Sequence, residues 1–252
     1  RLPPLLRPPL RHPPRRDHLH RRRRLCPLLL HHPTRRPHLH WQRSLRGLLR
    51  PRPRHLLPAG LTSIGTPSPD CSSLAAIDLR GAFARCSSIT TVTLPADLTS
   101  IGPSAFHLNS SLTRVTFPAG LTFIGEAAFF RCSSLTGVTF PAGLTSISCA
   151  VLSGCSALAR VTLPATLTSI GDCAFDACEA LGSVTFPAGL TSIGECAFDA
   201  CEALSSIHLP AGLTRIGGWA FDRCSSLLSI TLPATLTSIG GNAFLDCSSL
   251  VS

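Results

Sequence analysis

The sequence predicts a mainly β solenoid, because a motif of constant length recurs along most of the chain. The period is 23 residues: residues 117–139 read FPAGLTFIGEAAFFRCSSLTGVT, and residues 186–208 read FPAGLTSIGECAFDACEALSSIH. Each copy places apolar residues at the same positions, and one copy cannot enclose them, whereas stacked copies can. A leucine skeleton with a fixed period of about 20–29 residues indicates a leucine-rich-repeat solenoid, a right-handed coil with a parallel β-sheet.

Each copy is expected to contain the same elements in the same order. The segment LTFIG (121–125) predicts a short extended piece that ends at a glycine turn. The segment EAAFFRC (126–132) has helical spacing and predicts one short helical or 3-10 turn. The segment LTGVTF (135–140) alternates apolar and polar residues, as a half-buried strand does, and Pro141 with Gly143 then turns the chain. Strands of successive copies should lie about 4.8 Å apart in a parallel sheet.

The array is predicted to span residues 57–252, with a degenerate part at 57–93 and a regular part at 94–252. Its last copy, 232–252, is cut short. Neither end shows a polar cap, and polar caps keep solenoids soluble. We therefore expect end-to-end self-association of the chain.

The recurring phrase LPAGLTSIG..AF..CSSL..VT resembles the BspA-like, or treponemal, class of leucine-rich repeats over about residues 57–252. The resemblance implies a non-catalytic protein-interaction or cell-surface adhesion scaffold that binds a protein ligand. It implies a cell-surface or extracellular location, and it implies no catalytic residues and no cofactor.

The first 56 residues differ from the array in composition. They hold 16 Arg and one Asp, whereas residues 57–252 hold 7 Arg and 12 acidic residues, so the formal charge of +10 averages two unlike parts. When residues 31–55 are read one nucleotide out of frame, permitted codons give ITLPADLTSIGSEAFEGCSALALVT, a complete copy of the motif. We therefore interpret residues 1–56 as an Arg/Pro/His-rich segment that is an out-of-frame repeat, or is disordered.

Two other functions stay open at this point. A selected basic arm would bind nucleic acid through its phosphates, although Trp41 is the single aromatic residue of the head. The frameshift, the degenerate copies and a start at Arg1 in a chain without Met would instead fit a decaying fragment with no selected function. No apolar run has the length of a signal peptide or a membrane span, so the sequence does not fix the compartment.

The candidate binding residues lie on the outward side of the predicted strands. One column comprises Thr93, Thr116, Thr139, Thr162, Thr185, His208 and Thr231, and Arg114 and Arg160 lie beside it. Solenoid sheets commonly bind proteins, although β-propensity and solubility alone would also favour threonine here. A second column of threonines runs from Thr99 to Thr237, and regular threonine rows also resemble ice-binding surfaces.

Eight cysteines share one position of the repeat: Cys71, Cys86, Cys132, Cys155, Cys178, Cys201, Cys224 and Cys247. A small, weakly hydrogen-bonding side chain suits the core, so we expect a structural ladder of reduced thiols. Cys173 and Cys196 form a shorter column. A disulfide bond is one alternative for this pair. Zinc binding is another, at the C-x₄-C spacings of Cys173 with Cys178 and of Cys196 with Cys201.

Acidic residues stack as well: Asp176, Asp199 and Asp222 share one position, and Glu179 and Glu202 share another. Like charges on adjacent coils repel, so we interpret them as a solvated acidic edge, with calcium binding as the alternative. No phosphate-binding loop, metalloprotease motif or nucleophile elbow is present. The sequence therefore predicts neither an enzyme nor a bound metal or cofactor.

Overall fold

In a computed structural model of the chain, the structure describes residues 84–85, 89–94, 96 and 98–251, and the backbone of residues 63–64 and 77–78. These residues all belong to one compact unit, Arg35–Ser252. The arginine-rich segment 1–56 and two of the predicted ladder cysteines, Cys71 and Cys86, lie outside the described residues.

The regular elements of the described residues are short strands. No helix occurs among these residues. The strands are β1 (Ser63–Ile64), β2 (Ile77–Asp78), β3 (Thr91–Thr93), β4 (Ser100–Ile101), β5 (Arg114–Thr116), β6 (Phe123–Ile124), β7 (Gly137–Thr139), β8 (Ser146–Ile147), β9 (Arg160–Thr162), β10 (Ser169–Ile170), β11 (Ser183–Thr185), β12 (Ser192–Ile193), β13 (Ser206–His208), β14 (Arg215–Ile216) and β15 (Ser238–Ile239). Within this part of the chain, no membrane-spanning helix occurs.

The strands form two sets of parallel ladders. The first set, which we call the strand face, pairs β2-β3-β5-β7-β9 and β11-β13, and the second set, the second face, pairs β1-β4-β6 and β8-β10-β12-β14-β15. Partners stand one repeat apart, as when Ser183 pairs with Ser206 on the strand face and Ser169 with Ser192 on the second face. The predicted parallel-strand solenoid is therefore confirmed.

The core consists of columns in which like residues of successive coils contact one another. Phe198 stacks on Phe175 with ring centroids 5.0 Å apart and on Phe221 at 5.3 Å. All three rings are fully buried. In the coil before Phe175, Leu152 occupies the equivalent position and is also fully buried. Such stacked columns bury the apolar residues that a single coil would leave exposed.

The segment 126–132 differs from the helical or 3-10 turn that its spacing predicted. The amide of Ala127 donates to the carbonyl of Cys149 in the next coil at 2.9 Å, whereas the amide of Phe130 donates back to Ala127 at 3.1 Å. Ala127 and Arg131 have positive φ angles of 53° and 55°. Because some amides bond to the next coil and the backbone twice enters the left-handed region, a helical ladder cannot form.

A glycine follows most of the isoleucines of the second face because the backbones of adjacent coils approach closely there. A Cβ on Gly194 would lie 2.6 Å from the backbone nitrogen of Asp172. Ser148 occupies this position in one coil, and its hydroxyl donates to the carbonyl of Ile124 at 2.6 Å. The ladder of the second face is interrupted at this coil, between β6 and β8.

Candidate binding surface

The strand face places its predicted binding residues in rows one coil apart. In its three-residue strands the first and last side chains point outward and the middle one points into the core, as in β5, where Val115 is buried between Arg114 and Thr116. The exposed predicted residues on these strands are Thr93, Arg114, Thr116, Thr139, Arg160, Thr162, Thr185 and His208. Thr231 is exposed too, but it lies beyond β13, the last described strand of this face.

In its strands β3 to β13, the strand face carries cations and hydroxyls and no acidic side chains. From β3 to β13, the outward positions hold Thr, Ser, Gly, Arg or His. The salt bridges found among the described residues involve Arg223, which is not on this face. Arg114 and Arg160 are thus exposed cations without a carboxylate partner in the described part of the chain.

A shallow groove of about 450 Å³ crosses this face at β5 and β7 and the turns that follow them. It is lined by Arg114, Val115, Thr116, Phe117, Ala119, Gly137, Thr139, Phe140, Pro141 and Ala142. Gly137 lies between Arg114 and Arg160 in the ladder. The missing side chain at this position opens a gap in an otherwise continuous row.

The second column of threonines has a structural role that the sequence analysis did not identify. The hydroxyl of Thr168 donates to the carbonyl of Thr145 at 2.9 Å, and that of Thr191 donates to Thr168 at 3.0 Å. The same link recurs at Thr122, Thr214 and Thr237. These hydroxyls tie one coil to the previous one, so they are not available as a regular row for an external partner.

The cysteine column lies in the core, and its thiols are hydrogen-bonded. Cys132, Cys155, Cys178, Cys201 and Cys224 are fully buried, whereas Cys247 is half-buried. Each thiol of the column donates to a backbone carbonyl 26 residues earlier, as Cys155 does to Phe129 at 3.2 Å. Burial raises the pKa of the Cys155 thiol to about 12. The column thus consists of protonated thiols that link adjacent coils.

The shorter column of Cys173 and Cys196 contains two reduced thiols, so the disulfide alternative is not formed in this structure. A hydrogen bond to Cys173, together with burial, raises the pKa of the Cys196 thiol. Within the described residues, no group of three or more His, Cys, Asp or Glu side chains is arranged to hold a metal ion.

The interpretation of the aspartate column as a solvated edge is wrong. Asp176, Asp199 and Asp222 are buried, with exposed fractions of 6%, 5% and 2%. The guanidinium of Arg223 lies 2.6 Å from Asp199 Oδ1 and 3.7 Å from Asp222 Oδ2. Ser153, one coil before Asp176, donates its hydroxyl to Asp176 Oδ2 at 3.1 Å.

The aspartates are buried because their position faces the packed turns of neighbouring coils. Burial and the neighbouring Asp199 raise the pKa of Asp222 to about 6, although Arg223 opposes the shift. Glu179 and Glu202, by contrast, are exposed, as a solvated acidic row requires. The sequence did contain a signal for the ion pair between Arg223 and the buried Asp199. Arg223 directly follows Asp222, which occupies the aspartate position of its coil.

The chain is similar to known repeat proteins in sequence and in structure. The family model of the BspA type leucine rich repeat region matches residues 77–191 and 146–252, with six copies. No curated protein sequence matches the chain.

Three solved structures illustrate the similarity. A leucine-rich repeat protein from Bacteroides ovatus is 30% identical, covering 75% of this chain and 44% of that one, with a TM-score of 0.59. One from Eubacterium ventriosum is 25% identical, covering 68% and 46%, with a TM-score of 0.61. The T. pallidum leucine-rich repeat protein is 27% identical, covering 67% and 82%, with a TM-score of 0.46. The chain therefore spans less than half the length of the Bacteroides and Eubacterium proteins.

Proposed function

Because the chain belongs to the BspA-type leucine-rich repeat family, we propose that it is a non-catalytic scaffold that binds a protein ligand through the strand face. The observation that carries this proposal is the row of exposed Thr, Ser, Arg and His side chains on a ladder of fixed register. A rigid ladder presents these groups at fixed spacing, so binding needs little ordering of the scaffold itself.

The hydroxyls of the two threonine columns differ in their hydrogen bonding, and this difference supports the choice of the strand face. In the second column, Thr122, Thr168, Thr191, Thr214 and Thr237 use their hydroxyls within the solenoid. The described column on the strand face, which includes Thr139 and Thr162, has no such side-chain hydrogen bonds in the described part, so its hydroxyls can bond to a partner.

Selection from a random peptide display library tests the proposal without a known ligand. The full chain is the bait, and selected peptides are then measured on Thr139→Glu and Thr162→Glu, which place a larger, negatively charged side chain on the strand face. Ser146→Glu, at an exposed position of β8 on the second face, is the matched control. We expect affinity losses of about tenfold or more in the two strand-face variants and little change in the control. Equal binding to all of these variants would rule out the strand face.

A more specific version of the proposal is that the protein ligand is bound at a cell surface, so that the chain acts in adhesion. Antibody labelling of intact cells compared with permeabilised cells of the source organism tests it. Labelling that requires permeabilisation would contradict a surface role, while leaving protein binding itself open to the peptide test.

End-to-end self-association also belongs to the proposal. Large apolar side chains are exposed towards the end of the described array: Leu228, Leu232, Ile239, Leu245 and Val251. Contiguous exposed apolar surface favours association. Light scattering of the chain over a concentration series should show dimers or larger species, and a monomer at every concentration would refute this part.

The interpretation of residues 1–56 as an out-of-frame repeat is a separate proposal. Sequencing the transcript across codons 30–65 tests it. A transcript without the shift would turn this segment into further repeats, and one with the shift in a detectable protein would give a true arginine-rich arm. The family match and the fold favour neither of the two alternatives for the chain, which are a basic arm that binds nucleic acid and a decaying array with no selected function.

A further inference from the structure

Resting on the proposed role of the strand face, we propose that a notch at Gly137 binds a carboxylate side chain from an acidic segment of the partner protein. The ladder places Arg114 beside Gly137, and Gly137 beside Arg160, in parallel register. Since each step of a ladder is about 4.8 Å, the Cα atoms of the two arginines stand roughly 10 Å apart. A residue without a side chain lies between them.

The notch has room for a side chain from outside. A Cβ built on Gly137 meets only the carbonyl oxygen of Arg160, at the ordinary contact distance of 3.7 Å. The groove of about 450 Å³ on this face includes Arg114, Gly137 and Thr139 in its lining. The absence of a side chain at residue 137 thus creates open space on the surface and is not imposed by close packing.

The exposed side chains around the notch carry a net positive charge, which favours binding of an anion. Arg114 and Arg160 are exposed, and no acidic side chain occupies an outward position from β3 to β13. The asymmetry extends along the solenoid: residues 98–171 contain three Arg and one Glu, whereas residues 172–251 contain two Arg and eight acidic residues. The coils around Gly137 therefore carry positive charge in an array that is acidic elsewhere.

The donor set fits a carboxylate. A guanidinium offers several N–H donors in one plane and binds carboxylates through paired hydrogen bonds. Thr116 on β5 and Thr139 on β7, both exposed, add hydroxyl donors at the edge of the notch. Two flanking guanidinium groups on flexible stems can converge on one carboxylate above Gly137.

A short acidic segment fits this surface better than a polyanion does. The two coils that follow Arg160 hold Ser183 and Ser206 at the equivalent position, so the cationic row ends after three coils. Nucleic acids and other polyanions derive their affinity from many cation contacts. The two arginines can therefore bind one or two carboxylates of a protein segment that crosses the strand face.

Parallel selections from a random heptapeptide display library test the notch. The baits are the full chain, the double variant Arg114→Gln/Arg160→Gln, and the control Arg215→Gln, which removes an exposed arginine from β14 on the second face. We expect Asp and Glu to be enriched about threefold among peptides selected by the chain and by the control, and not by the double variant. A synthetic peptide from the first selection should bind the double variant at least about tenfold more weakly.

Gly137→Thr provides a second variant that leaves the charge unchanged. It fills the notch with a residue that suits strands, and the open space around Gly137 allows it to fold. Binding of the acidic peptide should fall about tenfold, while the urea unfolding midpoint should stay close to that of the unsubstituted chain.

The outcomes separate this inference from the proposed function. Peptides that lack acid enrichment but lose binding in Thr139→Glu would overturn the notch and leave the strand face standing. Peptides that are insensitive to every strand-face substitution, or a library that yields no binder, would count against both. A single-stranded DNA oligonucleotide that binds through Arg114 and Arg160, without acid enrichment among peptides, would overturn the acidic segment in favour of a polyanion.

Discussion

The thiol of Cys178 lies 3.3 Å from the backbone carbonyl oxygen of Leu152, which belongs to the preceding coil. The same oxygen accepts the amide of Cys155 at 3.1 Å, so one carbonyl closes a turn and links two coils. A thiol is a weak donor, and its value here lies in satisfying a buried oxygen without enlarging the core. This link recurs at the equivalent cysteine of every coil from Cys132 to Cys247.

The buried thiols are predicted to resist alkylation until the solenoid unfolds. Burial raises the pKa of Cys155 to about 12, so at pH 8 only about one thiol in ten thousand would be ionised. With iodoacetamide in native buffer, mass spectrometry should find Cys155 and Cys178 unmodified while Cys173, which is half-buried, is labelled. In urea all three should react alike. Native labelling of Cys178 as fast as that of Cys173 would refute the protected ladder.

Gly194→Ala is predicted to destabilise the solenoid by about 1–3 kcal/mol, because the added Cβ would collide with the backbone of the previous coil. The colliding atom is the backbone nitrogen of Asp172, 2.6 Å away. Gly182→Ala is the matched control, since a Cβ there meets no atom within 4 Å. The control should be neutral or slightly stabilised, because alanine restricts the unfolded chain. Urea unfolding followed by circular dichroism measures both, and equal midpoints would disprove the close approach.

The two threonine columns are predicted to respond differently to loss of their hydroxyls. Thr168→Val removes the bond to the carbonyl of Thr145 and should lower the free energy of unfolding by about 0.5–1 kcal/mol. Thr185→Val, also exposed but on the strand face, should change stability little, since both residues suit strands. Both variants are compared by urea unfolding. A larger loss for Thr185→Val would show that the roles of the columns are reversed.

The sequence predicted those parts of the fold that repeat. The 23-residue period determines that like residues stack, and the parallel register of Ser183 with Ser206 follows from it. The turn at 126–132 could not be predicted correctly, because its apolar spacing is compatible with a helix. The bond from the amide of Ala127 to the next coil, which excludes the helix, becomes apparent only in three dimensions.

The candidate site was predictable in position but not in detail. The strand alternation identified Arg114 and Thr116 as outward residues, and the burial of Val115 between them agrees with it. The sequence could not distinguish threonines that bond within the solenoid from those that do not, since both columns are equally regular. Nor could it show that Asp222 is buried, because burial there depends on the packing of turns from neighbouring coils.

That burial makes the stability of the solenoid depend on pH in a predictable direction. The carboxyl of Asp222 has a pKa raised from 3.8 to about 6 when folded. Between about pH 4 and pH 6 the folded state therefore binds more protons than the unfolded state, so this residue lowers stability as the pH rises. Above pH 6 the full cost of the buried charge is present. Its Oδ1 has no hydrogen-bond partner among the described residues, which is consistent with that cost.

Asp222→Asn is thus predicted to stabilise the chain by about 1–2 kcal/mol at pH 8 and to have almost no effect at pH 4. Asparagine keeps the shape of the side chain and removes the charge, while Asp199 still pairs with Arg223 at 2.6 Å. Glu202→Gln, which removes an exposed charge from the same array, is the control, and its effect should be small at both pH values. Urea unfolding at pH 4, 6 and 8 gives the three differences. If Asp222→Asn were destabilising at pH 8, the buried carboxylate would instead be held favourably by Arg223, and the sign of the pH dependence would reverse.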